Sequence, residues 1–99
     1  MTKNDIIEIL KTVYDPEIPI LDIYTMGLIY EIAVDKDNVH IIMTLTTPAC
    51  PMGDMIVEMI KNAITQKFPN ANVNVDVVFE PKWTVDKIKD ENIRQMFQN

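Results

Sequence analysis

Val39-His40-Ile41-Ile42-Met43-Thr44-Leu45-Thr46-Thr47-Pro48-Ala49-Cys50-Pro51 holds the change of pattern that decides the fold. Up to Thr46 the period is two. Val39, Ile41, Met43 and Leu45 point one way, and His40, Ile42, Thr44 and Thr46 the other. Beyond Pro51 the period becomes helical, and Met52, Met55, Ile56, Met59, Ile60, Ala63 and Ile64 make one continuous apolar stripe. Pro51 suits a first helical position, where no backbone N–H is needed. A strand over 39–46 and a helix over 51–67 follow, with Cys50 between two prolines at the junction.

The elements on either side obey the same logic. Leu28, Tyr30, Ile32 and Val34 share one face of a strand over 28–34, and Ile29, Glu31 and Ala33 share the other. Asp35-Lys36-Asp37-Asn38 is a turn of hairpin length, so these two strands pair antiparallel. Val73, Val75, Val77 and Phe79 mark a third strand over 72–79. A strand–helix–strand crossover returns parallel and right-handed. At the start of the chain, Ile6, Ile9, Leu10 and Val13 mark a helix over 4–14. It is capped by Asn4 or Asp5 and stopped by Pro16.

Residues 15–26 form a connector that two prolines hold extended, apolar enough to pack along the body. After Glu80-Pro81-Lys82-Trp83-Thr84 a short helix begins near Asp86 or Asp90, with Ile88, Ile93, Met96 and Phe97 available to dock it. The expected fold class is α/β, a two-layer α+β arrangement in the order α-β-β-α-β-α. It has a small mixed sheet of about three main strands, helices packed mainly on one face, and a more polar second face.

Ninety-nine residues make one domain, 1–99, with one modest core. No apolar run approaches the roughly 20 residues that span a bilayer, and the first residues carry no signal-peptide pattern. A single cysteine cannot form an internal disulfide, which places the chain in the cytoplasm. The net charge of −6, with nine bases scattered among fifteen acids, disfavours binding to nucleic acid or anionic lipid, which wants a basic stripe.

Few side chains remain that carry chemistry. Cys50 is either a small buried hydrophobe or a thiol whose proton leaves more easily beside the positive end of a helix. The flanking prolines and the helix behind it favour the second. Thr46 and Thr47, at the strand end, can hydrogen-bond a ligand or thiolate, whereas Thr44 reads as a solvent-facing strand residue. Asp15-Pro16-Glu17 is either a helix stop or a rigidly held pair of carboxylates near the cysteine loop. It could then ligate iron, take a proton or grip a basic partner. His40 starts strand two on the polar face, roughly 20 Å along the strand from Cys50, which disfavours a Cys–His dyad. Trp83 is either a lid on one end of the core or an aromatic anchor at an interface. The methionines follow the core periodicity. There is no CxxC, HExxH, P-loop or GxGxxG. Cysteine and histidine alone cannot build a closed metal site within the chain.

Four motifs in order carry a family resemblance: Val13-Tyr14-Asp15-Pro16-Glu17, Met26-Gly27-Leu28-Ile29-Tyr30, Leu45-Thr46-Thr47-Pro48-Ala49-Cys50-Pro51 and Phe79-Glu80-Pro81-Lys82-Trp83-Thr84. Together they span almost the whole chain. They resemble the SufT/PaaD-like metal–sulfur cluster assembly factors (the MIP-eighteen-like domain of unknown function), which include eukaryotic cytosolic iron–sulfur targeting proteins. Glu80 and Lys82 depart from many relatives, at positions read as surface. The cysteine-containing C-terminal region of the phenylacetate subgroup is missing, so the chain reads as the short, general bacterial type.

The resemblance implies an accessory factor in iron–sulfur cluster assembly or transfer to client apoproteins, not an enzyme. Cys50 would be the reactive thiol or transient ligand, supported by Asp15, Glu17, Thr46 and Thr47, with Trp83 as a partner contact. Any iron or iron–sulfur cluster would be held transiently, none tightly. The partners implied are assembly machinery, client apoproteins and a second copy in a homodimer. The alternative is a protein-interaction adaptor in which Cys50 is no metal ligand. A thiol enzyme is disfavoured by the lack of a resolving cysteine and a nearby base.

Overall fold

Thr2 starts the first helix. In the computed structural model, which describes residues 1–14, 21–46 and 53–98, α1 spans Lys3–Leu10. The Thr2 hydroxyl accepts from the Asp5 backbone N–H at 3.2 Å, and the Asp5 carboxylate accepts from the Thr2 N–H at 2.9 Å. This reciprocal box satisfies two donors that a helix start otherwise leaves open, and it places the cap two residues before Asn4. Thr2→Ala is expected to cost about 1 kcal/mol in urea unfolding at neutral pH.

The Asp5 half of the box is ionisable. The Thr2 backbone N–H, above all, holds its carboxyl below the usual 3.8. A depressed folded-state value means that its contribution is present at neutral pH and is lost as acid carries the pH from about 3.8 down through the lowered value. Asp5→Asn should therefore show a shallower acid loss of stability than wild type.

The helix ends at Leu10 and not at Tyr14. The Thr12 N–H donates to the Ile9 carbonyl and the Thr12 hydroxyl reaches the same oxygen at 2.6 Å, tightening the chain into a turn. Val13 then accepts from the Ile23 N–H, and Tyr14 bridges antiparallel to Asp22. This pairing between distant segments draws Val13 and Tyr14 out of the helix. Within the connector, Leu21, Ile23 and Met26 are buried, as its apolar character predicts.

The sheet has three strands in the order β1-β2-β3, with β1 Ile29–Asp35, β2 Asn38–Met43 and β3 Asn72–Val77. β1 and β2 are antiparallel, β2 and β3 parallel. Within β2 the alternation is obeyed: Val39, Ile41 and Met43 are buried and His40 is exposed. In β1 it is broken by a bulge, because Ile29 opposes Met43 while Glu31 opposes Ile42. The extra residue, Tyr30, shifts the phase. Ile29 therefore joins Leu28 and Ile32 in the core, although a strict period of two puts it on the opposite face.

α2, Gly53–Lys67, packs its Ile56, Ile60 and Ile64 beside Ile6, Ile9 and Leu10 of α1 on the apolar face of the sheet. Met55, expected within the stripe, is half exposed instead. Asn74 and Asp76 lie with His40 on the polar second face, where His40 Nε2 meets Asp76 Oδ2 at 2.6 Å. After a 3-10 turn at Val85–Lys87, Asp90 Oδ1 accepts from the N–H groups of Asn92 and Ile93 and caps α3, Glu91–Gln98. Ile88 is fully buried and Ile93 half buried, but Met96 is exposed and does not dock the helix. The Phe97 side chain lies outside the described residues. No described helix is long and apolar enough to cross a membrane.

Candidate functional site

Because β2 and β3 are parallel, their carboxyl ends lie side by side, the edge at which open α/β sheets bind ligands. The segments that leave these strands converge there. Thr44, Leu45 and Thr46 from beyond β2 meet Phe79, Glu80, Lys82 and Trp83 from beyond β3 around a cavity of about 270 Å³. α2 begins at the same edge, since a methyl group built on Gly53 would lie 3.0 Å from the Leu45 side chain. A shallower depression of about 440 Å³ between Glu8 and Thr12 of the first segment and Ala63 and Lys67 of α2 collects no comparable chemistry.

Two hydrogen bonds fold the post-β3 segment back over the sheet end. The Trp83 indole N–H donates to the Met26 carbonyl at 2.8 Å, and the Tyr30 hydroxyl donates to the Pro81 carbonyl at 2.7 Å. Glu80–Pro81 is a cis peptide bond. Trp83 is half buried and packs on the core. Phe79 is 40% exposed at the cavity. Burial pushes the Tyr30 phenol above its usual range, and a hydrogen bond with Thr44 partly offsets this.

Thr44 is fully buried and does not face solvent as its alternation predicts. Its N–H donates to the Leu28 carbonyl at 2.8 Å, and it lines the cavity opposite the returning segment. Of the six expected site residues the structure describes Thr46 and Trp83, and it brings both to this cavity. Asp15, Glu17, Thr47 and Cys50 lie outside the described residues. Thr44, Tyr30 and Phe79 are site residues that the sequence reading did not single out. Their signal was the aromatic spacing of Tyr30, Phe79 and Trp83, which points to a shared end only once the strand register is known. Among the described residues, no three His, Cys, Asp or Glu side chains cluster as a metal site.

Residues 3–77 match the family described as iron–sulfur cluster assembly protein. The chain belongs to this family. A Porphyromonas gingivalis protein called Fe-S protein maturation auxiliary factor is 40% identical over 96% of this chain and 90% of its own length. The Bacillus subtilis Fe-S protein maturation auxiliary factor YitW is 38% identical over 87% of this chain and 84% of its own. A conserved hypothetical protein from Thermotoga maritima superposes with a TM-score of 0.85 at 37% identity, over 100% of this chain and 96% of that one. The four-motif resemblance and the mixed α/β fold are thereby borne out. The iron–sulfur assembly match stops at residue 77, before Trp83, whereas the P. gingivalis relative aligns over 96 residues.

Proposed function

We propose that this chain acts as a single cytoplasmic domain that assists iron–sulfur cluster assembly or passes clusters to client apoproteins, without a turnover reaction of its own. One observation carries the reading. In a member of this family, the cavity at the carboxyl ends of β2 and β3 is lined by Thr46 and by Leu45, beside which Gly53 lies, and the chain's one thiol falls in sequence between Thr46 and Gly53. Relatives named maturation auxiliary factors support it.

Cys50 is the transient thiolate ligand for the iron or cluster being passed, with Asp15 or Glu17 supplying an oxygen ligand or orienting the loop. Thr46 and Thr47 donate to the thiolate or its cargo. A cluster takes about four ligands, so one thiolate holds it openly, which suits release. A homodimer supplies a second thiolate. The remaining ligands come from assembly machinery or the client apoprotein.

The test is anaerobic reconstitution with iron and sulfide of wild type, Cys50→Ala and Cys50→Ser, followed by transfer to an apo-ferredoxin. Wild type should retain iron above both variants and deliver it faster. Equal, negligible iron in all three overturns the carrier role. Trp83, half buried but lining the open cavity, supports the adaptor reading, in which the domain brings machinery to clients. Undiminished partner capture by Cys50→Ser without bound iron would decide for it.

A further inference from the structure

The chain's overall charge is −6, yet four of its nine cations converge on one face. The Nζ of Lys11 and of Lys89 lie 5.7 Å and 5.0 Å from the centre of the Tyr24 ring, and that of Lys87 lies 5.2 Å from the centre of Tyr30. Lys3 joins Lys89 and both tyrosines around a cavity of about 140 Å³, whose wall also includes Glu31 and Ile7. These cations come from α1, from the turn after it, and from the segment before α3. Nothing local in the sequence gathers them. An ammonium over an aromatic face stays close to the ring while keeping its charge toward water. The two tyrosines are of a kind enriched at interface hot spots, and the lysines around them add positive charge at the rim.

We propose that this face docks an acidic segment of a partner protein. Carboxylates select against a uniform polyanion. Glu31 borders the cavity, Asp90 shares the neighbouring opening with Lys11 and Lys89, and Glu8 pairs with Lys11 at 3.4 Å. A nucleic-acid backbone or anionic bilayer would meet these carboxylates. A peptide with spaced carboxylates sets its acids on the ammonium groups, between the protein's own carboxylates. The surface is continuous with the cavity edge through one turn. The Thr25 carbonyl accepts from the Lys89 N–H at 2.7 Å, and the Met26 carbonyl accepts from Trp83.

The probe is a short fluorescein-labelled peptide of Glu-Glu-Leu repeats, with a Lys-Lys-Leu peptide as control, measured by anisotropy on the full chain. The acidic peptide should bind, more weakly as salt rises, and the basic one should not. Lys3→Glu with Lys89→Glu should weaken binding about tenfold. Lys36→Glu with Lys61→Glu makes the same change in net charge elsewhere and should leave binding within about twofold. Both positions of the first pair are exposed, and equal thermal midpoints confirm that the fold is kept.

Equal weakening by the two pairs, no binding of the acidic peptide, or tighter binding of oligothymidylate or phosphatidylserine vesicles would each overturn the proposal. Cys50 and iron take no part in the readout, so its failure and that of the assembly role are separable.

Discussion

Gly27→Ala is expected to remove more than about 3 kcal/mol of stability, far more than the same methyl group added at Gly53. Gly27 has φ +79°, a left-handed conformation that costs other residues about 1–2 kcal/mol. The added Cβ would also lie 2.0 Å from the Lys87 carbonyl oxygen and 2.6 Å from its carbon. These are backbone atoms and cannot swing aside. Relief requires the turn at Val85–Lys87 to move away, which pulls fully buried Ile88 from the core and strains the Thr25–Lys89 hydrogen bond. It also disturbs the Met26 carbonyl that holds Trp83.

Gly53→Ala is the matched control. Its Cβ meets only the tip of Leu45, a flexible side chain, and alanine favours the helix, so the change should stay within about 0.5 kcal/mol. Urea midpoints of the two variants against wild type check both. A Gly27→Ala midpoint close to that of wild type would mean that the packing between the turn at 22–27 and Lys87 is not as close as described.

That contact illustrates what the sequence shows and what it hides. The alternation of Val39, Ile41, Met43 and Leu45 and the isoleucines of α2 are local patterns, so the layers and strand directions follow from them. The Tyr30 bulge does not, because it exists only in the pairing of β1 with β2. Thr44 looked solvent-facing for the same reason. It lines a cavity with a segment more than thirty residues later, held by Tyr30 and Trp83. The early end of α1 has a similar cause, the bridge from Tyr14 to Asp22. The lysines around Tyr24 and Tyr30 are scattered along the chain and become a patch only when α1 and the segment before α3 are brought together. Of the site, the threonine-rich strand end and Trp83 could be read from sequence. Their sharing one cavity depends on the parallel pairing of β2 and β3.

Trp83→Ala is expected to lower stability by about 2–3 kcal/mol, below the range for a fully buried tryptophan because this one is only half buried. Two losses combine: the ring's packing on the core, and the donor to the Met26 carbonyl. Trp83→Phe separates them. Its ring refills most of the space, and the remaining cost of about 1 kcal/mol reports the missing hydrogen bond. Delivery of iron and sulfide to an apo-ferredoxin, at a temperature where all three proteins are folded, then distinguishes lid from contact. A tryptophan that only closes the core gives delivery rates that follow the folded fraction, so all three should match. A tryptophan whose cavity face meets the acceptor contributes about 2 kcal/mol to binding. Trp83→Ala should then need roughly thirtyfold more acceptor for half-maximal delivery, with Trp83→Phe in between. Identical acceptor dependence in the folded proteins would leave Trp83 as structure alone and place the partner contact elsewhere on this edge.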